Sequence, residues 1–360
     1  MIGYKKMKKI LVFSLIILVI LGIFAAWFKW DYLTGFLFSK SNLSANLAIN
    51  QTPEQKPRVK EATLIAVGDI MLTRGVAIKI AKNGSEYPFL QVKDYLKTGD
   101  IVFGNLETPI SPGRAIKPGE MLFRSDPGLE KELRANNFSI LSLANNHTEN
   151  FGDYGLEQTF KYLDEAGIKY IGAGENINQA YSPVITDANG LKFAFLAYDD
   201  IDFTPASYEA DESSAGIAFM DEEKMVLAIN EAKKLADFVI VSMHSGIEYK
   251  TVPSDKQKEF ARLAIDSGAE MVIGHHPHVV ESMEKYNGKY IFYSLGNFIF
   301  DQMWSLPTRQ GAIAKIVFDK SGVKSVETQA ILIEDYCQPR ITTGEEAQEV
   351  LNILTSEKIL

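Results

Sequence analysis

From residue 62 onward, short apolar runs alternate with segments whose apolar residues recur at helical spacing. Runs that predict buried strands lie at 64–67, 101–103, 140–143, 193–196, 238–241, 271–273 and 291–293. Two further runs, at 313–318 and 326–333, predict strands that complete a second sheet. Apolar positions three or four residues apart predict helices within 156–163, 225–235 and 260–264, the first ending at Gly167. Strands that alternate with helices predict a layered α/β domain, with helices covering the sheets.

The N-terminal segment has a different pattern. Residues 10–28 contain no charge and are long enough for one membrane-spanning helix, and four lysines lie within residues 5–9. By the positive-inside rule these lysines stay in the cytoplasm, so the rest of the chain is expected outside the membrane. The alternative is a cleaved signal peptide, which the small residues Ala25 and Ala26 favour. The length of the apolar stretch favours the uncleaved anchor.

The chain therefore divides into four predicted segments. Residues 1–29 are a cytoplasmic stub and transmembrane signal-anchor, and residues 30–60 are a polar, proline-containing linker. Residues 61–340 form the main domain, which we expect to be extracytoplasmic. Residues 341–360 hold a C-terminal helix and tail. The predicted location is the cell membrane, with a single pass.

Charge and cysteine content restrict the function. The first 29 residues contain five lysines and no acidic residue, so the rest of the chain has a net charge of −14 within a total of −9. A nucleic-acid partner requires a basic surface and is therefore not expected. An anionic substrate would have to be captured locally, for example by a metal ion. The single cysteine, Cys337, excludes an internal disulfide and a thiolate-rich metal site.

Polar side chains follow the predicted strands at six of their carboxyl ends. They are Asp69, Asn105 with Glu107, Asn146 with His147, His244 with Glu248, the group His275, His276 and His278, and Asn297. Ligands of α/β sheets bind beyond the carboxyl ends of strands, so we expect these side chains to lie close together. Imidazole combined with carboxylate suits Mn, Fe or Zn, and a site without cysteine is typical of a catalytic metal.

Several of these residues have a simpler structural explanation when each is taken alone. Asp69 fits a turn, and His147 fits the start of a helix capped by Asn145 or Asn146. His244 fits a hydrogen-bonded histidine of the core. The three imidazoles at 275, 276 and 278 are harder to explain structurally. On an extended segment, the rings at 276 and 278 would point to the same side and predict a metal site.

The same positions form ordered motifs. They are Gly-Asp at 68–69, Gly-Asn-Leu-Glu at 104–107, Asn-Asn-His at 145–147, His-Ser-Gly at 244–246, Gly-His-His-Pro-His at 274–278 and Ser-Leu-Gly-Asn-Phe at 294–298. Over about residues 62–305 this set resembles the bacterial capsule-synthesis family, whose best-known members serve poly-gamma-glutamate capsule biosynthesis. That family is similar to the calcineurin-like metallophosphoesterases. The resemblance therefore implies a four-layer α-β-β-α sandwich.

The resemblance also implies roles for the site residues. One or two divalent ions are expected on Asp69, Glu107, Asn146, His244, His276 and His278, with Glu107 as the bridging carboxylate. His147 matches the histidine that assists the leaving group or stabilises the transition state. Residues expected to contact substrate or to orient the ligands are Asn105, Glu248, His275 and Asn297. The sequence departs from the phosphoesterase motif Asp-x-His at Met71, whose thioether is a poor ligand for such ions. We therefore expect either one ion or a second that is weakly held.

Two functions remain open at this point. In the first, the chain is a membrane-anchored extracytoplasmic capsule biosynthesis protein with a metal-dependent, phosphoesterase-type hydrolase domain. In the second, it is a non-catalytic component that binds or exports a polymer and uses the metal as a carboxylate receptor. The presence of His147 favours the first function, and Met71 favours the second. The expected partners are the membrane, an anionic capsule polymer or its precursor, and other capsule-synthesis membrane proteins.

Overall fold

The structure is a computed structural model and describes residues 60–356. The predicted membrane-spanning stretch at 10–28 and almost all of the predicted linker lie outside the described residues. Among the helices of residues 60–356, none combines the length and the apolar character needed to span a bilayer.

The strands of the described residues form two large sheets and one two-stranded sheet. In spatial order, the first sheet contains β16 (Gln338–Ile341), β15 (Gly322–Glu334), β14 (Gln310–Asp319), β1 (Ala62–Ile70), β2 (Ile101–Leu106), β3 (Phe138–Ser142) and β4 (Lys169–Ile171), and β13 (Asn297–Ile299) also pairs with β1. The second contains β11 (Met283–Tyr286), β12 (Lys289–Phe292), β10 (Met271–His275), β9 (Phe238–His244), β7 (Leu191–Asp199) and β6 (Val184–Ala188). The small sheet pairs β5 (Ala173–Gly174) with β8 (Gly216–Ile217).

Parallel pairing dominates the centre of each large sheet. Strands β1 to β4 are parallel neighbours, and so are β7, β9, β10 and β12. The predicted strands at 313–318 and 326–333 exist as parts of β14 and β15, but the prediction that they complete the second sheet is wrong. They extend the first sheet, where β14 pairs antiparallel with β1. An apolar pattern shows which faces are buried and does not identify the neighbouring strand.

Helices cover the outer faces of both sheets. The helices of the described part of the chain are α1 (Arg74–Asn83), α2 (Lys93–Leu96), α3 (Leu129–Ala135), α4 (Gly152–Ala166), α5 (Ile177–Ala180), α6 (Glu222–Leu235), α7 (Asp255–Ser267), α8 (Leu306–Arg309) and α9 (Glu345–Leu354), and the last of them packs into the core between the sheets instead. One apolar core joins α1, α3 and α4 to the first sheet, and another joins α6 and α7 to the second. As predicted, α4 ends at Gly167, which has a left-handed φ of 68°.

A third core lies between the two sheets. Phe103 of the first sheet stacks on Phe195 of the second, with ring centroids 5.8 Å apart. Helix α9 contributes Ala347, Val350 and Leu354 to this core. The layers therefore follow the order helix, sheet, sheet, helix, and the mixed α/β fold predicted from the sequence is confirmed.

Candidate metal centre

Two rows of polar side chains lie at the carboxyl ends of the parallel strands. In the first sheet, strand register places Asn297, Asp69 and Asn105 side by side. In the second sheet, it places Asp199, His244 and His275 side by side. The rows contact each other, because the ring Nδ1 of His275 lies 3.3 Å from Asp69 Oδ1 and the ring Nδ1 of His244 lies 3.3 Å from Asn105 Nδ2.

Glycines allow the backbone to pack closely beside each of these two rows. A Cβ atom at Gly68 would lie 1.8 Å from the carbonyl oxygen of Gly296, and one at Gly274 would lie 1.9 Å from that of Tyr293. Each glycine immediately precedes a site residue, Asp69 or His275. The Gly-Asp and Gly-His motifs therefore reflect backbone packing as well as chemistry.

Asp69 is completely buried and lies at the centre of the cluster. Its Oδ1 accepts a hydrogen bond from Asn105 Nδ2 at 2.9 Å, and its Oδ2 accepts one from the backbone N–H of His276 at 3.4 Å. Burial opposes ionisation, but contacts with His275 and His278 outweigh it and hold the pKa of this carboxyl well below its usual range. Asp69 is therefore a carboxylate with polar neighbours on both oxygens.

Glu107 is also completely buried, but it lacks a full set of partners. Its Oε1 has no hydrogen-bond partner among residues 60–356 and lies 3.7 Å from His278 Nε2 and 3.9 Å from His147 Nε2. Burial raises the pKa of this carboxyl well above its usual range. A divalent cation would keep the group ionised and satisfy the free oxygen. The residues present therefore fit a metal ion.

The turn after β3 places His147. The described helix α4 begins at Gly152, with Phe151 at the N-cap position, so neither asparagine of the Asn-Asn-His motif caps it. Instead, the Asn145 amide donates to Asn105 Oδ1 at 3.1 Å, and Asn145 Oδ1 accepts the backbone N–H of His147, also at 3.1 Å. Asn145 thus ties the turn to β2. From the sequence, only a capping role was expected for Asn145.

The ring of His147 has a defined orientation. Its Nδ1 lies 2.8 Å from Asn150 Oδ1, which also accepts the backbone N–H of Phe123 at 2.8 Å. Nδ1 must therefore donate, which leaves Nε2 of the neutral ring as an acceptor directed toward Glu107. Burial lowers the pKa of His147 to about 4, and the ring stacks on Phe123 with centroids 3.8 Å apart.

His244 lies between two amide side chains. Its Nε2 lies 3.2 Å from Asn146 Oδ1, and its Nδ1 faces Asn105. Burial holds the pKa of His244 well below its usual range, so the ring is neutral, as metal ligation requires. Asp69, Glu107 and His244 each offer one ligand atom, and these atoms lie within 4.8 Å of one another.

The predicted extended geometry at His276 and His278 is wrong. Both residues have positive φ angles, 99° and 57°, so the segment bends and strand alternation does not apply. Each ring is held by its own neighbour. His276 stacks on Phe203 with ring centroids 3.7 Å apart, and His278 Nδ1 lies 3.0 Å from Asn297 Oδ1. Burial lowers the pKa of His276 to about 3. For His278 the charges of Glu107 and Asp69 outweigh burial and raise the pKa to about 9.

The remaining predicted residues occupy different positions. Asn297 holds His278 through its Oδ1, while its amide donates to the carbonyl of Thr308 at 2.9 Å. Asn105 donates to Asp69 and, at 3.4 Å, to Glu107 Oε2. Glu248 is the predicted residue that the fold does not bring into the buried cluster, since it is exposed beside an adjoining cavity.

Asp199 was not among the site residues predicted from the sequence. It ends β7 beside His244, is completely buried, and neither of its carboxylate oxygens has a hydrogen-bond partner in the described part of the chain. Burial raises the pKa of this carboxyl well above its usual range. The predicted strand at 193–196 continues three residues further, so extending it would have found this side chain. No sequence pattern predicts that Phe123 and Phe203 stack on histidines of the site.

A cavity of about 520 Å³ adjoins the cluster. His147 and His278 line it, together with aromatic and charged side chains that include Arg74, Tyr249 and Trp304. The guanidinium of Arg74 lies 4.6 Å from the ring centroid of Phe123 and is paired with Asp301. The volume suits a small molecule or the end of a chain molecule.

The fold and the site define an α/β protein with a buried carboxylate–imidazole cluster of the kind that suits a divalent metal. The family model described as "Bacterial capsule synthesis protein PGA_cap" matches residues 63–302. The PGA biosynthesis protein CapA of Bacillus subtilis (strain 168) is 35% identical over 272 residues, which cover 75% of this chain and 71% of that protein. This chain therefore belongs to the bacterial capsule synthesis family, and the resemblance seen in the motifs is confirmed.

A second relative and a solved structure are also similar to this chain. The Capsule biosynthesis protein CapA of Bacillus anthracis is 32% identical over 310 residues, covering 83% of this chain and 74% of that protein. Among solved structures, the NAD nucleotidase NadN of Haemophilus influenzae is similar with a TM-score of 0.47 and 13% identity. That similarity covers 83% of this chain and 56% of the nucleotidase.

Proposed function

We propose that this capsule synthesis protein contains a metal-dependent hydrolase domain that acts on an anionic polymer of the poly-gamma-glutamate type or on its precursor. The observation that carries the proposal is the free Oε1 of Glu107, buried between the Nε2 atoms of His147 and His278. The adjoining cavity is lined by the same two histidines, so a bound molecule would reach them. The names of the Bacillus relatives support the polymer class.

The proposed metal ligands are Asp69, Glu107, Asn146, His244, His276 and His278, which would hold one or two ions of the Mn, Fe or Zn type. When bound, such an ion polarises a phosphoryl or acyl oxygen and lowers the pKa of a water molecule. The proposed sandwich is of the calcineurin-like metallophosphoesterase type. The order of layers around the site supports this assignment.

His147 has a separate role in this proposal. Its Nε2 is unprotonated in the neutral ring and can take a proton from the attacking water. The resulting imidazolium would be stabilised by Glu107, 3.9 Å away, and could return the proton to the leaving group. Asn150 holds the ring orientation throughout, because it accepts from Nδ1 in both protonation states.

A second candidate function is a non-catalytic component that binds or exports the polymer and uses the metal as a carboxylate receptor. Met71 favours this alternative. Its side chain belongs to the core between the first sheet and its helices, and its sulfur accepts the backbone N–H of Thr73 at 3.2 Å. The histidine of the Asp-x-His motif is therefore not replaced by another good ligand at position 71.

Anchoring in the membrane is also part of the proposal. The uncharged stretch at 10–28 and the lysines before it support a single-pass anchor with the main domain outside the cytoplasm. The proposed partners are then the membrane, the anionic polymer or its precursor, and other capsule-synthesis membrane proteins.

His147→Ala tests the catalytic proposal. The variant should keep its metal but lose at least about 100-fold in turnover, because a general acid–base group contributes about 10²–10⁴-fold. We would measure metal content by mass spectrometry, and turnover on a generic phosphodiester and on poly-gamma-glutamate. Asn178→Ala, on the exposed surface of α5, is a matched control that should keep both properties.

The outcomes separate the two functions. Wild type that binds metal but turns over neither substrate would favour the carboxylate receptor. Equal turnover by wild type and His147→Ala would contradict the role of His147. Wild type without bound metal would overturn both functions of the site.

A further inference from the structure

We propose that His275 is itself a metal ligand and supplies the nitrogen that Met71 cannot. The inference rests on the proposed metal centre and deepens it, since His275 has no ligand role in the resemblance. With His275, the ion held by Asp69 would gain a nitrogen ligand beside that carboxylate.

Residue 71 offers no metal ligand beside Asp69. Met71 is completely buried among apolar neighbours such as Leu72 and Val76, on the helix-covered side of the first sheet. Its sulfur already accepts a backbone hydrogen bond. A thioether is in any case a poor ligand for hard or borderline ions. Any nitrogen ligand beside Asp69 must therefore come from another element.

The ring of His275 is buried close to Asp69 without a hydrogen-bond partner among the described residues. The residue is 1% exposed, and neither ring nitrogen has a hydrogen-bond partner within residues 60–356. Yet its Nδ1 lies 3.3 Å from Asp69 Oδ1. Two ligand atoms that are each about 2.0–2.2 Å from one ion at an angle near 90–110° are about 2.8–3.6 Å apart. A close nitrogen–oxygen pair that is not aligned for a hydrogen bond therefore fits a shared cation.

The backbone of His275 is held in place by strand pairing. His275 is the last residue of β10 and lies in register with His244 on β9. Its carbonyl accepts the backbone N–H of Ser245 at 3.1 Å, so β9 and the residue that follows it hold His275 in the second sheet. His276 and His278, in contrast, lie in the bend that follows. A strand residue next to Asp69 is preorganised for ligation without movement of the backbone.

The test uses the purified full chain and Mn²⁺ as the probe. Mn²⁺ would be titrated with detection by electron paramagnetic resonance, and the number of bound ions counted by mass spectrometry. His275→Ala and His275→Asn should each lose one ion or bind it at least about 100-fold more weakly. Met71→Leu is the matched control and should bind Mn²⁺ as wild type does, because its sulfur is not a ligand.

The asparagine variant separates ligation from orientation. Its amide nitrogen can replace Nδ1 as a donor to Asp69, so an orienting histidine would be rescued to within about tenfold of wild type. Rescue by His275→Asn with the Co²⁺ spectrum of wild type, or unchanged binding in His275→Ala, would overturn the inference, because an amide oxygen that replaced a ligand nitrogen would change the spectrum. The visible absorption of the Co²⁺-loaded variants gives a second readout, because each nitrogen ligand alters the spectrum.

Two controls distinguish a folding failure and a failure of the proposed metal centre from a failure of this inference. Circular dichroism in EDTA shows whether each variant folds without metal, and the asparagine variant, which leaves a smaller gap, covers a failure of the alanine variant. If wild type binds no Mn²⁺, the proposed metal centre itself fails. If wild type binds Mn²⁺ and the His275 variants match it, this inference alone fails.

Discussion

Glu281 is a buried carboxyl group whose nearest polar neighbour is an amide. Gln257 Nε2 donates to Glu281 Oε2 at 2.7 Å and to the carbonyl of Ser245 at 3.0 Å. Because Ser245 directly follows His244, this bridge supports the loop that leaves the metal centre. Burial raises the pKa of Glu281 to about 8, so the group is largely neutral when the bridge is intact.

This raised pKa predicts how stability depends on pH. The folded state holds the proton more tightly than the unfolded state, whose carboxyl has a pKa of 4.5. The contribution to stability is therefore complete below pH 4.5 and is lost as pH rises toward 8. Glu281→Gln keeps an acceptor for Gln257 and removes the titration. At pH 8 it should be more stable than wild type by up to about 4 kcal/mol.

Urea unfolding of metal-free protein between pH 5 and pH 9 measures this difference. Wild type should lose stability across the range relative to Glu281→Gln, and the two curves should converge toward pH 5. Parallel curves would show that Glu281 does not titrate in this window.

At the scale of elements, the junction of β1 and β13 builds the site. The two strands pair in parallel, with Asp69 opposite Asn297, and Asn297 in turn holds His278. The junction depends on Gly68, since an added Cβ would overlap the carbonyl of Gly296. One backbone contact therefore sets the relative positions of three side chains in the cluster.

Gly68→Ala should consequently affect both folding and metal binding. Relief of the overlap requires β13 to move away from β1, which should cost about 1–3 kcal/mol or more in the free energy of unfolding. Displacement of Asn297 and His278 should also weaken Mn²⁺ binding at least tenfold. Chemical denaturation and a Mn²⁺ titration measure the two effects.

Gly288→Ala, in the turn between β11 and β12, is the control. Its φ of 80° makes alanine strained by about 1–2 kcal/mol, but a Cβ there would meet no atom of the described residues within 4 Å. It should keep wild-type Mn²⁺ affinity. Equal losses of affinity in both glycine variants would contradict the role of the junction.

The strand ends also show what the sequence could predict. Strand runs followed by Gly-Asp or Gly-His place their polar residues at one edge, because parallel strands end together. That rule located Asp69 and His275 correctly. The rule did not locate Asp199, because the apolar run at 193–196 does not show that β7 continues to Asp199. The bend at His276 could not be predicted, because its ring stacks on Phe203, which lies far away in the sequence.

At the scale of the whole molecule, the net charge opposes the binding of a polyanion, whereas the proposed metal centre would favour it. The chain beyond residue 29 has a net charge of −14, so it repels a polyanion at long range. In the cavity, the buried guanidinium of Arg74 is already paired with Asp301. Under the proposed function, capture of an anionic polymer by this chain would therefore depend on the proposed metal centre.

The negative net charge and the proposed metal centre together predict how polymer binding depends on salt and on metal. Metal-loaded full chain should bind poly-gamma-glutamate, and EDTA-treated chain should bind at least tenfold more weakly. Binding should hold or strengthen as salt rises from 50 to 300 mM, because salt screens the repulsion, whereas binding through a basic surface falls steeply. Co-sedimentation with the polymer measures both dependences, with metal content checked afterwards because the polymer can remove ions. Equal binding without metal, or a tenfold loss over this salt range, would place polymer recognition on a surface other than the metal centre.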